Sequence, residues 1–308
     1  MQNQFRIIVL GCTGGPKENS LSGYLLYPLC DPDQLIAFDA GTMLAGIEVA
    51  YSRGNLDDFK FDFSSLTPVG ELYQRKLKAY LISHAHLDHI AALVINSQND
   101  THKYILGLDS TIDDMRDHIF NWKTWPNCGN EGIKPIKLYD YQRLALHTKT
   151  PIPATDMNVE VFLLSHPHEY PSSAFLVEHQ GNYMMYFGDT SPDILESEKH
   201  LETIWLRLAP LIREKKLRGI LLECSVPDED SGQLIFGHLN PHLMIQELTK
   251  LQEIAGVSLR GFKVVVTHRK ETLYAVKDSK KLIEEELSNL NKHGLHLIFP
   301  TQGDKISL

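Results

Sequence analysis

The sequence predicts an α/β protein in which sheets are layered together and helices cover the outside. In the first half, short apolar runs alternate with Gly, Pro and Asp turns, the pattern of consecutive strands. In the second half, strand-like runs alternate with segments whose apolar residues recur at helical spacing. The chain has 308 residues, of which 43% are hydrophobic, enough for a sizeable core. We therefore expect one domain, residues 1–308, with an insertion or cap at about 96–156.

The predicted strands of the first half lead into a loop rich in histidine. A helix is predicted from Ile90 onward, so the residues between the fourth strand and this helix form a strand-to-helix loop. Such loops lie at the C-terminal ends of strands, where active sites often gather. The four predicted strands are Phe5–Leu10, Ser22–Tyr27, Gln34–Phe38 and Lys78–Ser83.

The second half is predicted to mix strands with three helices. The first helix begins with Ser191 as its N-cap, the second spans Asn240–Gly256, and the third spans Glu271–Asn291. Residues Gln180–Asn182 read as a hairpin turn between two strands. The six predicted strands are Val159–Leu164, Ala174–Glu178, Tyr183–Phe187, Gly219–Glu223, Lys263–Thr267 and Leu295–Phe299.

The fourth strand ends in a segment that contains three histidines and one aspartate. Several imidazoles in one turn contribute little apolar burial and repel one another when protonated, so packing in a core does not explain this cluster of histidines. Neutral histidine and ionised aspartate are natural ligands of borderline divalent metals. His84, His86, Asp88 and His89 alternate along one short loop, so they can be divided between two neighbouring ions. We therefore predict a metal site at this loop.

Three further ligand-type residues each follow a predicted strand. His166 follows Val159–Leu164, Asp189 follows Tyr183–Phe187, and His268 follows Lys263–Thr267. Taken singly, each residue would more often be an ordinary surface or capping residue. Together they should meet at one edge of the sheet, where α/β proteins place their sites. The remaining metal ligands are therefore expected among these three residues.

Charge and hydropathy restrict the expected partners. The net charge of −9 disfavours a broad surface for nucleic acid, and no apolar stretch approaches the ~20 residues of a membrane span. The four cysteines form no C-x-x-C pair, which in a chain without a signal peptide predicts reduced thiols and a cytoplasmic location. We expect a small-molecule partner and leave a homodimer open as the oligomeric state.

The order of these residues carries a resemblance to a known family. The string His84-Ala85-His86-Leu87-Asp88-His89, followed by His166, Asp189 and His268, resembles the metallo-β-lactamase fold superfamily. Longer strings look like the class II cyclic-nucleotide phosphodiesterases. This resemblance implies a four-layer αββα sandwich that hydrolyses 3′,5′-cyclic nucleotides, cAMP or cGMP, to 5′-nucleoside monophosphates. The longer strings are Leu10–Pro16, Ser83–Ser97, Phe187–Thr190 and Phe236–Pro241.

The resemblance also implies a ligand set for two divalent ions. Zinc is favoured, and manganese or iron would suit the same nitrogen and oxygen donors. The string Ser165–His168 departs from the family, which usually has glycine after the histidine, and this leaves His168 as a rival ligand. The implied ligands are His84, His86 and His166 for one ion, Asp88, His89 and His268 for the other, and Asp189 as a bridge between them.

The implied reaction is in-line attack on the phosphorus by a hydroxide held between the ions, with loss of the 3′-oxygen. Asp88, as a metal ligand, and His238 are the predicted catalytic residues, and His238 is the candidate general acid. His238 could equally cap the following helix or hydrogen-bond a neighbour of the metals. Asp39 matches an early aspartate of the superfamily and is expected to orient the histidine loop, or else to close a turn.

Other functions are compatible with the same ligands. A tRNA 3′-processing nuclease or another phosphodiesterase would use the same ions, although the negative charge argues against a nuclease. A lactonase would polarise a carbonyl, and a non-catalytic module would use a closed metal cage. Trp122, Trp125 and Phe120 could stack on a purine, or could fill the core of the cap or a dimer interface. The sequence does not choose between cAMP and cGMP.

Overall fold

The computed structural model of the chain describes residues 4–167, 170–230 and 237–308. Within these residues two seven-stranded sheets face each other, and helices cover the outer face of each sheet. This order of layers is the four-layer αββα sandwich that the resemblance implies. Among the helices of the described residues, none combines the length and the apolar composition that a membrane span requires.

The first sheet combines the N-terminal part of the chain with its last strand. Its strands are β1 (Phe5–Gly11), β2 (Gly23–Pro28), β3 (Leu35–Phe38), β4 (Leu77–Leu81), β5 (Lys103–Gly107), β6 (Tyr139–Arg143) and β14 (Lys305–Ser307). The spatial order is β14-β1-β2-β3-β4-β5-β6, antiparallel from β14 to β3 and parallel from β3 to β6. The parallel half places the C-terminal ends of β3 and β4 at the same edge.

The second sheet is built from the rest of the chain. Its strands are β7 (Thr150–Pro151), β8 (Asn158–His166), β9 (Tyr170–His179), β10 (Asn182–Phe187), β11 (Leu217–Glu223), β12 (Lys263–Thr267) and β13 (His296–Ile298). The order is β13-β12-β11-β10-β9-β8-β7, with the β10 to β13 half parallel. The predicted hairpin joins β9 to β10 through Gln180 and Gly181, whose positive φ angles of 48° and 76° suit a two-residue turn.

Three apolar clusters hold the four layers together. Alternation along the strands sends one face of each sheet into the shared centre and the other face toward the helices. In β10, Met184 and Tyr186 lie between the sheets, whereas Met185 and Phe187 pack under the helices. The helices over the first sheet are α1 (Leu44–Ser52), α2 (Pro68–Glu71), α3 (Leu87–Asn96) and α4 (Asp109–Asp114). Those over the second are α5 (His200–Arg213), α6 (Pro241–Ala255) and α7 (Ser279–Leu290).

Two predicted helices begin later than expected, and contacts made by the residues before each helix explain both. α5 begins at His200 instead of after Ser191, because the carboxylate of Asp193 accepts hydrogen bonds from the amides of Leu201 and Glu202 and caps the helix from a distance. α7 begins at Ser279 instead of Glu271, because the amide of Glu271 donates to the carbonyl of Gly15 and Asp278 caps the helix. By contrast, α6 has the predicted Asn240 cap and ends at Gly256 with a left-handed φ of 64°.

The segment 96–156, predicted as an insertion or cap, supplies strands β5 and β6 of the first sheet. Strand β14 was not predicted; it pairs with β1 at the opposite end of that sheet. Its three residues carry too short an apolar pattern to identify a strand without its partner.

Candidate metal centre

The predicted ligands come together at the C-terminal ends of strands from both sheets. The loop between β4 and α3 carries His84 and His86. Asp88 and His89 lie in the first turn of α3, which begins at Leu87, three residues before the predicted Ile90. Strands β8, β10 and β12 each deliver one residue at or just beyond their last position. Their possible donor atoms form two groups, and within each group all the donor atoms lie within 4.8 Å of one another. The first group is His84, His86, His166 and Asp189, and the second is Asp88, His89, Asp189 and His268.

Asp189 is the residue that the two groups share. Its Oδ2 lies 3.8 Å from Nε2 of both His84 and His166, and its Oδ1 lies 3.3 Å from Nε2 of both His89 and His268. Each carboxylate oxygen therefore faces a different pair of imidazoles. This arrangement matches the division of ligands that the resemblance implies, with one carboxylate between two sites.

Three imidazoles are oriented by contacts at Nδ1, the ring nitrogen that faces away from Asp189. Nδ1 of His84 contacts Oγ of Ser83 at 3.0 Å, and Nδ1 of His166 contacts the carbonyl of Gly237 at 3.0 Å. His268 uses Oγ of Ser225 in the same way at 2.9 Å. Fixing Nδ1 leaves Nε2 directed at Asp189, as outer contacts commonly do for metal-binding histidine.

Asp39 fixes the histidine loop as predicted. Its buried carboxylate accepts hydrogen bonds from the amide and the hydroxyl of Ser83, at 2.7 and 2.8 Å, and from the hydroxyl of Tyr186. A contact of 2.7 Å to Nδ1 of His89 completes the set. Asp39 thus connects the first sheet, the second sheet, the loop before α3 and the first turn of α3, which together carry four predicted ligands.

The donor set fits a divalent cation. Nε2 of His89 and Oδ1 of Asp189 are buried and have no hydrogen-bond partner among the described residues, although they lie 3.3 Å apart. Leaving such groups without a partner is costly, and a cation between them would satisfy both. Nitrogen and carboxylate donors in this number suit zinc and other borderline divalent metals.

Burial and charge set the protonation of the donors. Burial lowers the pKa of His84 and His86 and lowers the pKa of His166 to about 4, so these imidazoles are neutral near pH 7. Burial also opposes the charge on His89, but the carboxylates of Asp189 and Asp39 outweigh it and raise its pKa. The same negative potential favours a divalent cation at that ring.

His238 lies beside the two groups of donors. Its Nδ1 contacts Oε1 of the buried Glu223 at 2.9 Å and lies 3.9 Å from Oδ2 of Asp189. Its Nε2 lies 3.0 Å from Nζ of Lys270. Burial lowers the pKa of His238, yet the charges of Glu223 and Asp189 outweigh burial and raise it. The ammonium of Lys270 can only donate, so in this geometry Nε2 accepts from it while Nδ1 donates to Glu223. His238 does not cap α6, because Asn240 does so.

Glu223 and Lys270 are residues that the sequence reasoning missed. Glu223 ends β11 and also accepts hydrogen bonds from the amide of Thr190 and the hydroxyl of Ser225. It forms a third group of possible donors with His238 and His268. A carboxylate at the end of an apolar strand is the signal that identified the other ligands, and it applies equally to Glu223. Lys270 carries no comparable signal in the sequence.

Other residues singled out in the sequence lie away from these contacts. Phe120 is fully buried in the core under the helices of the first sheet. Trp125 donates its indole hydrogen bond to Ser97, and Trp122 donates to the carbonyls of Ile133 and Lys134. These contacts support the alternative that the aromatic residues fill their own segment. His168, the rival ligand, lies outside the described residues.

Gly14 provides a test of how tightly His268 is held. A Cβ at Gly14 would lie 2.0 Å from Cε1 of His268, so Gly14→Ala must displace the ring. We expect metal affinity and activity to fall by about 10- to 100-fold, the usual effect of disturbing an outer contact of a ligand. Metal content by mass spectrometry and initial rates would measure this change.

Gly70→Ala is the matched control, because its nearest non-neighbouring atom would be 3.4 Å away, an ordinary contact. Equal metal content and activity in the Gly14 and Gly70 variants would contradict the tight packing against His268.

The four-layer αββα sandwich and the histidine and aspartate cluster at its strand ends are those of the metallo-β-lactamase fold. A solved structure of YhfI from Bacillus subtilis, a metallo-β-lactamase fold protein, is similar over 99% of this chain and 100% of that chain, with a TM-score of 0.62 and 17% identity. Unliganded yeast PDE1 is more similar, with a TM-score of 0.84, 25% identity and full coverage of both chains.

The sequence comparison narrows the class to one family. The family model described as class-II cAMP phosphodiesterases matches residues 7–303, and the chain belongs to this family. A relative from Aliivibrio fischeri, named a 3′,5′-cyclic-nucleotide phosphodiesterase, is 37% identical over 306 residues, which are 98% of this chain and 92% of the relative.

Proposed function

We propose that this protein hydrolyses 3′,5′-cyclic nucleotides to 5′-nucleoside monophosphates with two divalent metal ions, most favourably zinc. The assignment of cyclic nucleotides as substrates rests on the family match over residues 7–303. Relatives of similar length that are named for this activity support it. The placement of Asp189 between two sets of imidazoles supports two ions instead of one.

The proposed ligands follow the two groups of donor atoms. Bound divalent ions would stabilise negative charge on the phosphoryl oxygens and lower the pKa of a water. Asp189 would neutralise part of the charge of both ions, since its two oxygens face different imidazole pairs. The remaining proposed ligands are His84, His86 and His166 for one ion and Asp88, His89 and His268 for the other.

We assign to His238 the transfer of a proton to the leaving 3′-oxygen. Glu223 fixes Nδ1 of the ring, and its charge outweighs burial and raises the pKa of the imidazole. For Nε2 to donate a proton, the ammonium of Lys270 that now donates to it would have to turn toward the leaving oxygen. Lys270 lies beside this nitrogen and adds positive charge where the leaving oxygen develops negative charge. An alkoxide is a poor leaving group, so this protonation matters most for a nucleotide substrate.

A substrate panel tests the function. Purified protein should hydrolyse cAMP, cGMP or both, lose this activity on chelation and regain it when Zn²⁺, Mn²⁺ or Fe²⁺ is returned. A bis-aryl phosphodiester and a lactone serve as comparison substrates. Turnover of the lactone or the aryl diester without turnover of either cyclic nucleotide would reject the proposed substrate. Metal analysis of the active protein would give the identity and number of the ions.

Two further properties belong to the proposal. The net charge of −9 supports a small nucleotide substrate instead of nucleic acid. All four cysteines are unpaired, which supports a reducing, cytoplasmic compartment. The homodimer left open by the sequence stays a prediction, which sedimentation equilibrium would test.

A further inference from the structure

An apolar cleft opens beside the metal-ligand cluster. It has a volume of about 480 Å³, within the usual range for small-molecule sites. One wall is formed by Val226, Pro227 and Asp230, and the other by Leu273 and Tyr274. We call this space the 226–274 cleft.

Two residues connect the 226–274 cleft to the cluster. Gly14 lines the cleft and also packs so closely on His268 that no side chain fits between them. Lys270 lines the cleft and places its Nζ 3.0 Å from Nε2 of His238. A ligand whose phosphate lies at the cluster can therefore extend directly into this cleft, with a lysine cation at the boundary.

The loop between β12 and α7 exposes large apolar side chains at this position. Leu273 and Tyr274, which line the cleft, are 77% and 76% exposed. Contiguous exposed apolar side chains mark ligand-binding grooves and interaction surfaces. The tyrosine ring also offers an aromatic face, and aromatic faces bind nucleobases by stacking.

The same loop is anchored, so it can present these side chains in a defined position. Lys277 forms ion pairs of 2.7 Å with Asp230 and 2.8 Å with Glu229, which join the two walls of the cleft. The amide of Lys270 donates to the carbonyl of Ser225, and the hydroxyl of Ser279 donates to the carbonyl of Lys270. Both ends of the loop are thereby tied to neighbouring elements.

Three larger cavities fit a nucleoside less well. The first, of about 650 Å³, lies between α1 and α2 and has no lining residue from the cluster. The second, of about 610 Å³, contains Arg53 and Arg269, but these cations already pair with Asp304 and Glu284. The third, of about 490 Å³, lies against α7 and also has no lining residue from the cluster. The 226–274 cleft is the one of the four that adjoins His238, through Lys270, and combines apolar walls with an aromatic ring.

We propose that the 226–274 cleft is the nucleoside subsite, in which the base of the cyclic nucleotide stacks on Tyr274. This inference rests on the proposed hydrolysis of cyclic nucleotides. It replaces Trp122 and Trp125 as base-stacking residues, because the indole of each already donates a hydrogen bond, from Trp122 to the carbonyls of Ile133 and Lys134 and from Trp125 to Ser97. Leu273 and Val226 supply the remaining apolar contact.

The test measures Tyr274→Ala and Tyr274→Phe with cAMP, cGMP and bis(p-nitrophenyl) phosphate, which has no nucleobase. We expect Tyr274→Ala to raise KM for the cyclic nucleotides about 10-fold, because stacking of one base is lost. Turnover of the aryl diester should stay unchanged, and Tyr274→Phe should behave like the wild type. Phe63→Ala is the control, since Phe63 is an equally exposed aromatic residue, at 71%, outside the cleft.

Inhibition of aryl-diester turnover by 5′-AMP gives a second readout that needs no cyclic-nucleotide hydrolysis. Tyr274→Ala should weaken this inhibition about 10-fold, while inhibition by inorganic phosphate stays the same. An unchanged KM and unchanged 5′-AMP inhibition would overturn the subsite. The subsite would also be overturned if Tyr274→Ala lost activity equally on all substrates and a dimer dissociated in sedimentation, because the loop would then contact a second copy of the chain. If the wild type bound 5′-AMP through Tyr274 but did not hydrolyse cyclic nucleotides, the proposed function would be rejected and the subsite would stand.

Discussion

Asp189→Asn should remove most of the bound metal and lower kcat/KM by at least about 10³-fold. Asparagine keeps the shape of the side chain but loses the negative charge, and its amide group would turn N–H donors toward one pair of imidazoles. The charge stabilisation that metal ions supply to a phosphoryl group amounts to several kcal/mol, and about 1.4 kcal/mol corresponds to a tenfold rate change. Metal content by mass spectrometry and cyclic-nucleotide turnover measure the two effects together.

Asp193→Asn is the matched control for this variant. Asp193 is as buried as Asp189, at 2% exposure, but its carboxylate caps α5 and belongs to none of the three groups of donors. Asparagine keeps one of the two capping acceptors, so this variant should lose at most about 1 kcal/mol of folding stability, with full metal content retained. Normal metal content and activity in Asp189→Asn would refute the bridging role.

His238→Gln should lower kcat for cyclic nucleotides by about 10²- to 10⁴-fold, the usual contribution of a general acid. The leaving 3′-oxygen of a nucleotide is strongly basic and needs a proton, whereas a p-nitrophenolate leaves without one. Turnover of bis(p-nitrophenyl) phosphate by the same variant should therefore fall much less. The ratio of the two rates is the measurement, because it separates proton transfer from metal binding.

His242→Gln provides the comparison for this substitution. His242 lies four residues further on, at the start of α6, with an exposed side chain, and it should tolerate glutamine without a change in either rate. If His238→Gln loses metal, or loses both activities equally, the residue supports the cluster and does not transfer the proton. Unchanged rates on both substrates would remove it from the mechanism.

Local sequence signals predicted the elements whose ends are fixed by neighbouring residues. The apolar run before His84 and the helical spacing after His89 defined a strand, a loop and a helix. Asn240 and Gly256 marked the two ends of α6, and the turn at Gln180 and Gly181 set the hairpin. The helix starts at Ser191 and Glu271 were wrong, because a distant capping carboxylate and long-range backbone hydrogen bonds decide those ends.

By itself, the sequence determined the α/β class, the histidine loop and the ligand-type residues at strand ends, because each depends on spacing along the chain. Only the tertiary structure decided how these groups meet. It placed one oxygen of Asp189 toward each imidazole pair, set Glu223 and Lys270 against His238, and opened the cleft beside them. Such contacts join residues far apart in the chain, and their distances depend on how two packed sheets align their edges.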